Sequence, residues 1–414
     1  MIIQRAYQVE LDPNNRQRTA FMKHAGTARF AYNWGLERKL AHYQETGASL
    51  SYPQLHRELN ALKKTEFPWM YEVSKCAPQE ALRNLEQAFK HFFRRVKNGE
   101  KPGFPRFKSR SRGIGSFRLT GSIHVGRQGI QLPRIGQVRL KEHGYLPTDK
   151  PILSATVSQR AGKWFASVLV EERFVAQNKG SGEAIGVDLG IKAMAVVSDG
   201  RVFANPKALR HQLKRLKRRQ RQLSRKQKGS QNRAKAKKKL ARLHYRIACL
   251  RADALHKATT AITARTKPDW ARPCVISLED LTLAGMVKNH KLAQAIADVG
   301  LGEFNRQIQY KAVWSGVDLH RVDRFYPSSK TCSQCGNVKP ALSLSERVYR
   351  CEQCGLEIDR DWNAALNLRN EAVAYFKQQN TVSSTEIHAC GKDVRPRLVP
   401  ATLAEAGTEP PLRG

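Results

Sequence analysis

The sequence predicts a multidomain α/β protein, and three observations lead to that prediction. Runs of β-branched and apolar residues alternate with amphipathic helical stretches along most of the chain. Four cysteines lie close together between residues 332 and 354, and residues 207–251 contain no acidic side chain. A chain of 414 residues has room for two to four domains, so these features are expected to belong to separate modules.

The N-terminal part of the chain is predicted to be a strand followed by helices. The alternating stretch "QRAYQVEL" favours a strand within residues 1–12. The next segment is typical of a helix that Asp12 or Asn14 would cap and Gly47 would end. A second helix begins near Pro78, and its apolar spacing predicts one buried stripe of six residues, Leu82, Leu85, Phe89, Phe92, Phe93 and Val96. Residues 14–98 are therefore expected to form a small helical domain.

A basic loop and a set of short strands follow. Arg106 and Lys108 are interleaved with Phe104 and Phe107, which suits phosphate contacts combined with base stacking, and a solvated basic loop explains the pattern equally well. The later strands include a hairpin that turns at residues 161–162. Several short strands in succession predict a small barrel or curled sheet. The first strand could join it, with the helical domain inserted between its strands.

The most biased segment, residues 207–251, carries 19 Lys or Arg among 45 residues. Its leucines keep a helical rhythm that breaks at Gly229 and Ser230, which predicts a helical hairpin with one packed seam. A basic helix face is usually only solvated, but unrelieved like charge repels itself, so a bound polyanion is the better explanation. The net charge of +38 points the same way, first to nucleic acid and second to an anionic membrane surface.

The four clustered cysteines have the spacing of a metal-binding module. Two Cys-x2-Cys pairs are separated by fifteen residues, and a glycine follows each pair. Such pairs can each grip one edge of a tetrahedral zinc ion at about 2.3 Å, and four thiolates leave no position for substrate. The spacing therefore predicts a structural zinc site rather than two disulfides or a redox pair. Its ligands would be Cys332, Cys335, Cys351 and Cys354.

Three carboxylates occupy positions in or next to predicted strands and helices, where an acidic residue calls for a structural or functional reason. Asp188 interrupts the apolar strand "IGVDLG", Glu279 ends the strand "VISLE", and Asp361 stands at the start of a helix. Taken singly, they could be a turn residue, a solvated strand end and a helix cap. Taken together they suggest a cluster that holds Mg²⁺ or Mn²⁺, as in two-metal phosphodiester hydrolysis.

The remaining sequence indicates where the protein works. The N-terminus has no uninterrupted apolar segment of a signal peptide, and no run of 18 apolar residues occurs. We therefore expect a cytoplasmic, nucleoid-associated prokaryotic protein without a membrane partner. Four further cysteines are expected to be buried or free thiols in that reducing compartment, namely Cys76, Cys249, Cys274 and Cys390.

These motifs resemble the TnpB family of transposon-encoded RNA-guided DNA nucleases, which are related to the type V CRISPR effectors. The resemblance extends to about residue 375 and is most specific in "GVDLGIKAMAVVSDG", "ISLEDL", "FYPSSKTCSQCG" and "CEQCGLEIDRDWNAALN". It implies that Asp188, Glu279 and Asp361 occupy the three metal-binding positions. Asp361 is preferred to Asp359 because the family pattern is Asp-x-Asn-Ala-Ala. Two further family segments imply that Tyr52, Lys75 and Gln79 lie near a DNA motif, although each could be ordinary helix surface.

The resemblance also implies a domain plan. The predicted fold class is multidomain α/β, with an RNase H-like (RuvC) nuclease core that carries a zinc-ribbon insert, and a β-barrel wedge domain with an inserted helical recognition domain. The predicted parts are an oligonucleotide-binding wedge barrel (1–13 and 116–180), a helical recognition domain (14–115), a RuvC-like nuclease domain (181–326 and 358–375, with the basic hairpin at 205–265), a zinc ribbon (327–357) and a disordered tail (376–414).

The function predicted on these grounds is RNA-guided, metal-dependent DNA cleavage next to a short motif. The expected partners are a guide RNA from the transposon end and double-stranded target DNA, with no small-molecule substrate. The expected cofactors are catalytic Mg²⁺ or Mn²⁺ and structural Zn²⁺. Candidate nucleic-acid contacts on the basic hairpin are Lys214, Arg218 and Arg221. Two alternatives stay open: a non-cleaving RNA or DNA binder, and a conventional transposase that needs no RNA.

Overall fold

A computed structural model describes residues 2–174, 178–343 and 345–385 of the chain. The protein divides into two compact units. The first contains residues 1–179, 204–265 and 282–316, and the second contains residues 180–203, 266–281 and the chain from residue 317 onward. Within the described residues, no helix is both long and apolar enough to cross a membrane.

The first unit contains a seven-stranded antiparallel sheet. Its strands are β1 (Ile2–Asp12), β2 (Ser116–Leu119), β3 (His124–Val125), β4 (Gly129–Leu132), β5 (Gly136–Leu140), β6 (Ile152–Arg160) and β7 (Lys163–Arg173). They pair in the order β2-β6-β7-β1-β5-β4-β3, so the N-terminal strand does join the sheet, between β7 and β5. The predicted β6–β7 hairpin turns at Ala161 and Gly162, which have the positive φ angles of 52° and 80° that a tight two-residue turn requires.

Three helices of the first unit share one hydrophobic core with this sheet. They are α1 (Asn15–Thr46), α2 (Tyr52–Thr65) and α3 (Cys76–Lys97). Of the two cap residues that the sequence offered, Asn14 caps α1 in a capping box. Gly47 ends the helix with a φ of 69°, as the sequence predicted. Side chains from both parts, such as Phe21 of α1 and Val168 of β7, belong to one buried cluster. The helices and the sheet therefore share one hydrophobic core instead of each forming its own.

The predicted apolar stripe of α3 is wrong in its second half. Leu82 and Leu85 are fully buried, but Phe93 and Val96 are 58% and 50% exposed. Phe89 and Phe92 instead contact the ring of Phe104, whose centroid lies 5.7 and 5.3 Å from theirs. An amphipathic pattern buries residues only where another element covers the stripe, and the last turns of α3 extend past that cover.

The basic segment forms the predicted helical hairpin, α4 (Ala208–Ser224) and α5 (Gln231–Ile262). Ser230 caps α5, and buried Leu216, Leu243 and Ile247 form the seam. Leu250, the last leucine of the predicted helical rhythm, is 43% exposed, because the buried face of α5 continues through Leu255 and Ala258.

The hairpin belongs to the first unit, whereas the sequence assigned it to the nuclease domain. Short helices complete the unit, α6 (Leu283–Met286), α7 (His290–Val299) and α8 (Leu301–Ser315). Asp298 of α7 accepts hydrogen bonds from the first backbone amides of α4, at 2.8 Å from Leu209 and 3.0 Å from Arg210. This buried carboxylate therefore fixes the start of the hairpin.

The second unit is a mixed five-stranded sheet covered by one long helix. Its strands are β8 (Ile185–Asp188), β9 (Ala193–Val197), β10 (Val202–Ala204), β11 (Val275–Glu279) and β12 (Asp318–Val322). They lie in the order β10-β9-β8-β11-β12, with β11 parallel to both β8 and β12. A small ribbon, β13 (Val348–Arg350) and β14 (Glu357–Asp359), precedes the helix α9 (Arg360–Thr385). The predicted disordered tail is therefore wrong for residues 376–385, and the rest of it lies outside the described residues.

Candidate metal centres and nucleic-acid surfaces

The sheet register brings Asp188 and Glu279 side by side. In the parallel pair β8–β11, Val187 lies opposite Leu278, and Asp188 and Glu279 are the next residues on the two strands. Equivalent residues of neighbouring parallel strands point to the same face of a sheet. Two acids separated by about ninety residues of sequence therefore meet at the same strand ends.

The helix α9 packs closely against this same face of the sheet, and Gly186 of β8 makes the close approach possible. A Cβ atom at Gly186 would overlap the backbone of Ala365 and Arg369, so only glycine allows α9 to lie so close to β8. Side chains two residues apart on a strand share a face, which places Asp188 under α9 as well. Asp361 lies in the first turn of this helix and is thereby brought to the two strand acids.

Asp359, rather than Asp361, caps α9. Its carboxylate accepts hydrogen bonds from the backbone amides of Asp361 and Trp362 at 3.0 and 3.1 Å. The alternative in which Asp361 is merely a helix cap is therefore wrong. The capping role of Asp359 leaves the Asp361 carboxylate available to the acid cluster.

The other two acids act electrostatically on Asp188. Burial, followed by the negative charges of Glu279 and Asp361, raises the pKa of Asp188 well above its usual value. Arg360 opposes this shift as a nearby cation, and its guanidinium also lies 3.5 Å from Asp361. Such a set of mutually repelling oxygen ligands fits a hard divalent cation, which would relieve the repulsion.

The carboxylate oxygens are more widely spaced than the cysteine sulfurs. Among the residues that the structure describes, one group of three or more metal-ligating side chains has all its ligand atoms within 4.8 Å of one another, and it is the four-cysteine group. A pair of cations about 3.5–4 Å apart requires a broader ligand set than one tetrahedral ion does. The three acids therefore do not form a closed single-ion site of the kind that the four cysteines form.

The four cysteines converge as the sequence predicted. The Sγ atoms of Cys332 and Cys354 lie 3.6 Å apart, and those of Cys335 and Cys351 lie 3.5 Å apart. All four are free thiols, so the disulfide alternative is wrong. Backbone amides of Cys354 and Gln353 lower the pKa of the Cys351 thiol to about 6, which favours a thiolate at Cys351. Burial and hydrogen bonds with the neighbouring thiols raise the pKa of Cys354 to about 12, so Cys354 is a protonated thiol until a metal binds. This donor set fits one tetrahedral zinc ion.

The scattered cysteines vary in exposure. Cys76 is buried, Cys274 is partly buried, and Cys249 is exposed, while Cys390 lies outside the described residues. The three described ones are free thiols, as expected.

Sequence reasoning assigned no supporting role to three residues that hold the site together, although Asn363 was already part of the quoted Asp-x-Asn-Ala-Ala pattern. Ser328 donates a hydrogen bond from its hydroxyl to the Glu279 carboxylate. Asn363 and Asn367 of α9 are 0% and 1% exposed and bind the chain just before and within the first cysteine knuckle. The spacing of the two asparagines could have indicated this role. They lie four residues apart on one helix face, and a buried amide side chain needs hydrogen-bond partners.

The candidate nucleic-acid contacts lie on three surfaces of the first unit. Lys75 directly precedes α3 and is exposed, and Gln79 lies one turn later and is partly buried. Tyr52 starts α2, where its ring stacks on His56 and lies 5.4 Å below the Arg83 guanidinium. Both predicted roles of these three residues, contact with a DNA motif and ordinary helix surface or packing, therefore stay predictions.

The other candidates include two loop residues and one helix face. Arg106 is exposed, whereas the Lys108 ammonium lies 4.0 Å above the ring of Tyr32. Asn33 exchanges hydrogen bonds with the Lys108 backbone at 2.8 and 2.9 Å, which anchors this loop to α1. The side chains of Lys214, Arg218 and Arg221 are exposed and lie on one face of α4, at spacings of four and three residues.

Three family models match this chain in successive segments. The model described as "Helix-turn-helix domain" matches residues 1–48, "Probable transposase" matches residues 166–290, and "Cas12f1-like, TNB domain" matches residues 302–368. The second segment includes Asp188 and Glu279, and the third includes the four cysteines and Asp361.

Curated relatives match nearly the whole chain. A Streptomyces pristinaespiralis protein named "Putative RNA-guided DNA endonuclease" is 35% identical, over 95% of this chain and 93% of the relative. An Escherichia coli K12 protein with the same description is 31% identical, over 88% of this chain and 91% of the relative. The fold resembles the protein in a Cas12f1-sgRNA-target DNA complex, with a TM-score of 0.54 at 13% identity, over 90% of this chain and 99% of the other. On the strength of the full-length relatives, this chain belongs to the TnpB family.

Proposed function

We propose that the chain is a transposon-encoded, RNA-guided DNA endonuclease whose Asp188, Glu279 and Asp361 hold divalent cations. The observation that carries the proposal is the convergence of these three acids from two parallel strands and a covering helix. The names of the full-length relatives support the same activity. The four-cysteine cluster, which shortly precedes Asp361 in the sequence, supports a structural zinc ion.

The domain roles follow from this proposal. The five-stranded sheet with α9 would be the RuvC-like, RNase H-type core, and residues 327–357 would be its zinc-ribbon insert. The seven-stranded sheet would be the wedge barrel, and α1–α3 would be the recognition helices packed on it. The likeness of the whole chain to a Cas12f1 fold supports this plan.

The residues of the chain would have distinct tasks in hydrolysis. Bound Mg²⁺ or Mn²⁺ would supply water activation and charge stabilisation at the leaving oxygen. Ser328 orients Glu279 through its hydroxyl, and Asp359 holds the first turn of α9 so that Asp361 faces the strands. Arg360 favours the ionised state of Asp188, which is the state that a cation needs.

The partners would be a guide RNA and double-stranded target DNA. The exposed face of α4, with Lys214, Arg218 and Arg221, is a surface for phosphates because its charge is not balanced by acids of the same segment. Base pairing between guide and target would supply most of the sequence specificity, while the protein holds the backbone.

Two measurements test the proposal. RNA that copurifies with the protein is sequenced, and a discrete species that matches the transposon end is expected. The complex is then supplied with matching DNA, and the wild type should cut it while Asp188→Ala binds it without cutting. Asp280→Ala is the matched control, since Asp280 follows Glu279 directly but pairs with Arg324 at 2.7 Å. Unchanged cutting by Asp188→Ala would refute the assignment.

A conventional transposase is the second candidate, because one matching family model is described as "Probable transposase". Such an enzyme would act on transposon-end DNA without RNA. Purified protein freed of RNA that still cuts transposon ends would favour it over the guided nuclease.

A further inference from the structure

A short segment before the first cysteine knuckle connects the two metal sites. Ser328 is buried at 3% exposure and lies four residues before Cys332. Its hydroxyl donates a hydrogen bond to Oε1 of Glu279, at the end of β11. One end of this segment thus contacts a candidate catalytic acid, and the other end carries a candidate zinc ligand.

Two buried asparagines of α9 hold the same segment by its backbone. Nδ2 of Asn367 donates to the carbonyl oxygens of Ser328 and Thr331, both at 2.7 Å. Nδ2 of Asn363 donates to the Thr331 carbonyl at 2.7 Å, and its Oδ1 accepts from the Ser333 amide at 3.0 Å. The two asparagines are one helical turn apart, so they form a continuous clamp on one face of α9.

The clamp has few alternatives for its hydrogen bonds. Asn363 and Asn367 are 0% and 1% exposed, and a buried amide that loses its partner costs the full desolvation penalty. The segment from Ser328 to Ser333 must therefore keep its conformation for the amides to stay paired. Asp361 lies only two residues before Asn363, so the same clamp also fixes the position of the third acid.

We propose that Ser328, Asn363 and Asn367 are positioning residues that couple zinc binding at the cysteines to cation binding at the acids. Zinc at Cys332 fixes the end of the clamped segment, the clamp holds Ser328 in place, and Ser328 orients Glu279. The inference rests on the proposed nuclease function, but it adds a statement about energetic coupling that the nuclease assignment does not require.

The coupling can be measured on the full-length protein with its copurified RNA and without DNA. Mn²⁺ is the probe for the acids, and its affinity is measured by the electron paramagnetic resonance signal of free Mn²⁺. Zinc affinity is measured by competition with a zinc-selective chelator, with and without saturating Mn²⁺. Thermodynamic linkage requires any coupling to appear equally in both affinities.

We expect Ser328→Ala to weaken Mn²⁺ binding about tenfold, the size expected for one hydrogen bond to a charged group. Its zinc content should stay at that of the wild type. In the wild type, Mn²⁺ should tighten zinc binding several-fold, and in Ser328→Ala this effect should vanish. Ser328→Thr keeps the hydroxyl and should restore much of the Mn²⁺ affinity.

The matched control is Ser277→Ala on the same strand as Glu279. Ser277 is fully buried, and within the described part of the chain its hydroxyl has no hydrogen-bond partner. This variant should retain both the Mn²⁺ affinity and the coupling. Asn367→Ala should weaken the coupling as well, and its melting temperature reports whether it is folded.

The outcomes separate the inference from the nuclease assignment. If Mn²⁺ tightens zinc binding equally in the wild type and in Ser328→Ala, or in neither, the coupling through Ser328 is refuted while the nuclease stands. If Asp188→Ala binds Mn²⁺ as tightly as the wild type, the acids do not hold the cation and both proposals are refuted.

Discussion

The second unit holds two candidate metal sites that are built in opposite ways. The cysteine site comes from residues 332–354, and its sulfurs approach to 3.5–3.6 Å. The acid site comes from residues 188, 279 and 361, on two strands and one helix, and its oxygens are spaced more widely. One site is defined by local spacing, and the other exists only once the sheet and α9 have packed.

This difference matches the tasks expected of the two sites. Four soft thiolates complete the coordination of zinc and leave no open position, which suits a structural ion. Besides burial, the charges of Glu279 and Asp361 raise the pKa of Asp188, so the three carboxylates repel one another. A cation held by them would keep coordination positions for water and phosphate. A local, saturated site stabilises the fold, whereas an open site assembled from distant elements can perform chemistry.

The largest expected effect comes from breaking the open site. Asp361→Ala should reduce cleavage of guide-matched DNA by about a thousandfold or more, because the remaining two acids cannot hold the cations. Binding of RNA and DNA should be unchanged, as measured by filter binding at fixed salt. Wild-type cleavage rates in this variant would remove Asp361 from the site.

Breaking the closed site should have a different effect. Cys351→Ser removes one thiolate and should weaken zinc binding by about 3 kcal/mol, roughly a quarter of the ~12 kcal/mol typical of structural zinc. Metal analysis of the purified protein measures the lost zinc. Cys249→Ser, at an exposed cysteine outside the cluster, is the control and should keep its zinc. A variant at Cys351 that retained full zinc affinity would contradict the four-thiolate site.

Asp359 and Asp361, at the start of α9, allow a structural role and a metal-binding role to be compared at neighbouring positions. Asp359→Ala removes the helix cap and should lower the free energy of unfolding by about 1 kcal/mol, measured by denaturant titration. Cleavage by the folded protein should change far less than in Asp361→Ala. The reverse pattern, with cleavage lost in Asp359→Ala alone, would exchange the assigned roles.

The smallest expected effect is a change in pH dependence. Because the pKa of Asp188 is raised, cleavage at subsaturating Mg²⁺ should increase with pH as this group loses its proton. Arg360 lowers that pKa, so Arg360→Gln should move the acidic limb of the rate profile to higher pH. Arg350→Gln removes an exposed partner of Glu357 and should leave the limb in place. A limb that moved to lower pH in Arg360→Gln would contradict the electrostatic account.

Much of the fold could be predicted because its signals are local. The Asn14 cap, the Ala161–Gly162 turn and the Ser230 break each depend on a few neighbouring residues. The cysteine site was predictable for the same reason. The stripe of α3 failed at Phe93 and Val96 because periodicity shows which residues share a face, but not where the covering element ends.

The acid site could be predicted only in part. The positions of Asp188 and Glu279 on apolar strands indicated that they need a cation or partner, but their pairing depends on the register of β8 and β11. The sequence offered a helix cap as an alternative role for Asp361, and only the backbone hydrogen bonds of the folded chain show that Asp359 is the cap. The link from Ser328 to Glu279 joins residues 49 apart and has no local signature.

The central claim is that Asp188, Glu279 and Asp361 share divalent cations. Crystals of the protein with its RNA, soaked in Mn²⁺, would test it by anomalous diffraction at the manganese edge. The account predicts manganese peaks bounded by these three carboxylates, and no such peak in Asp188→Ala crystals. Peaks elsewhere in the wild type, with the three carboxylates bare, would contradict it.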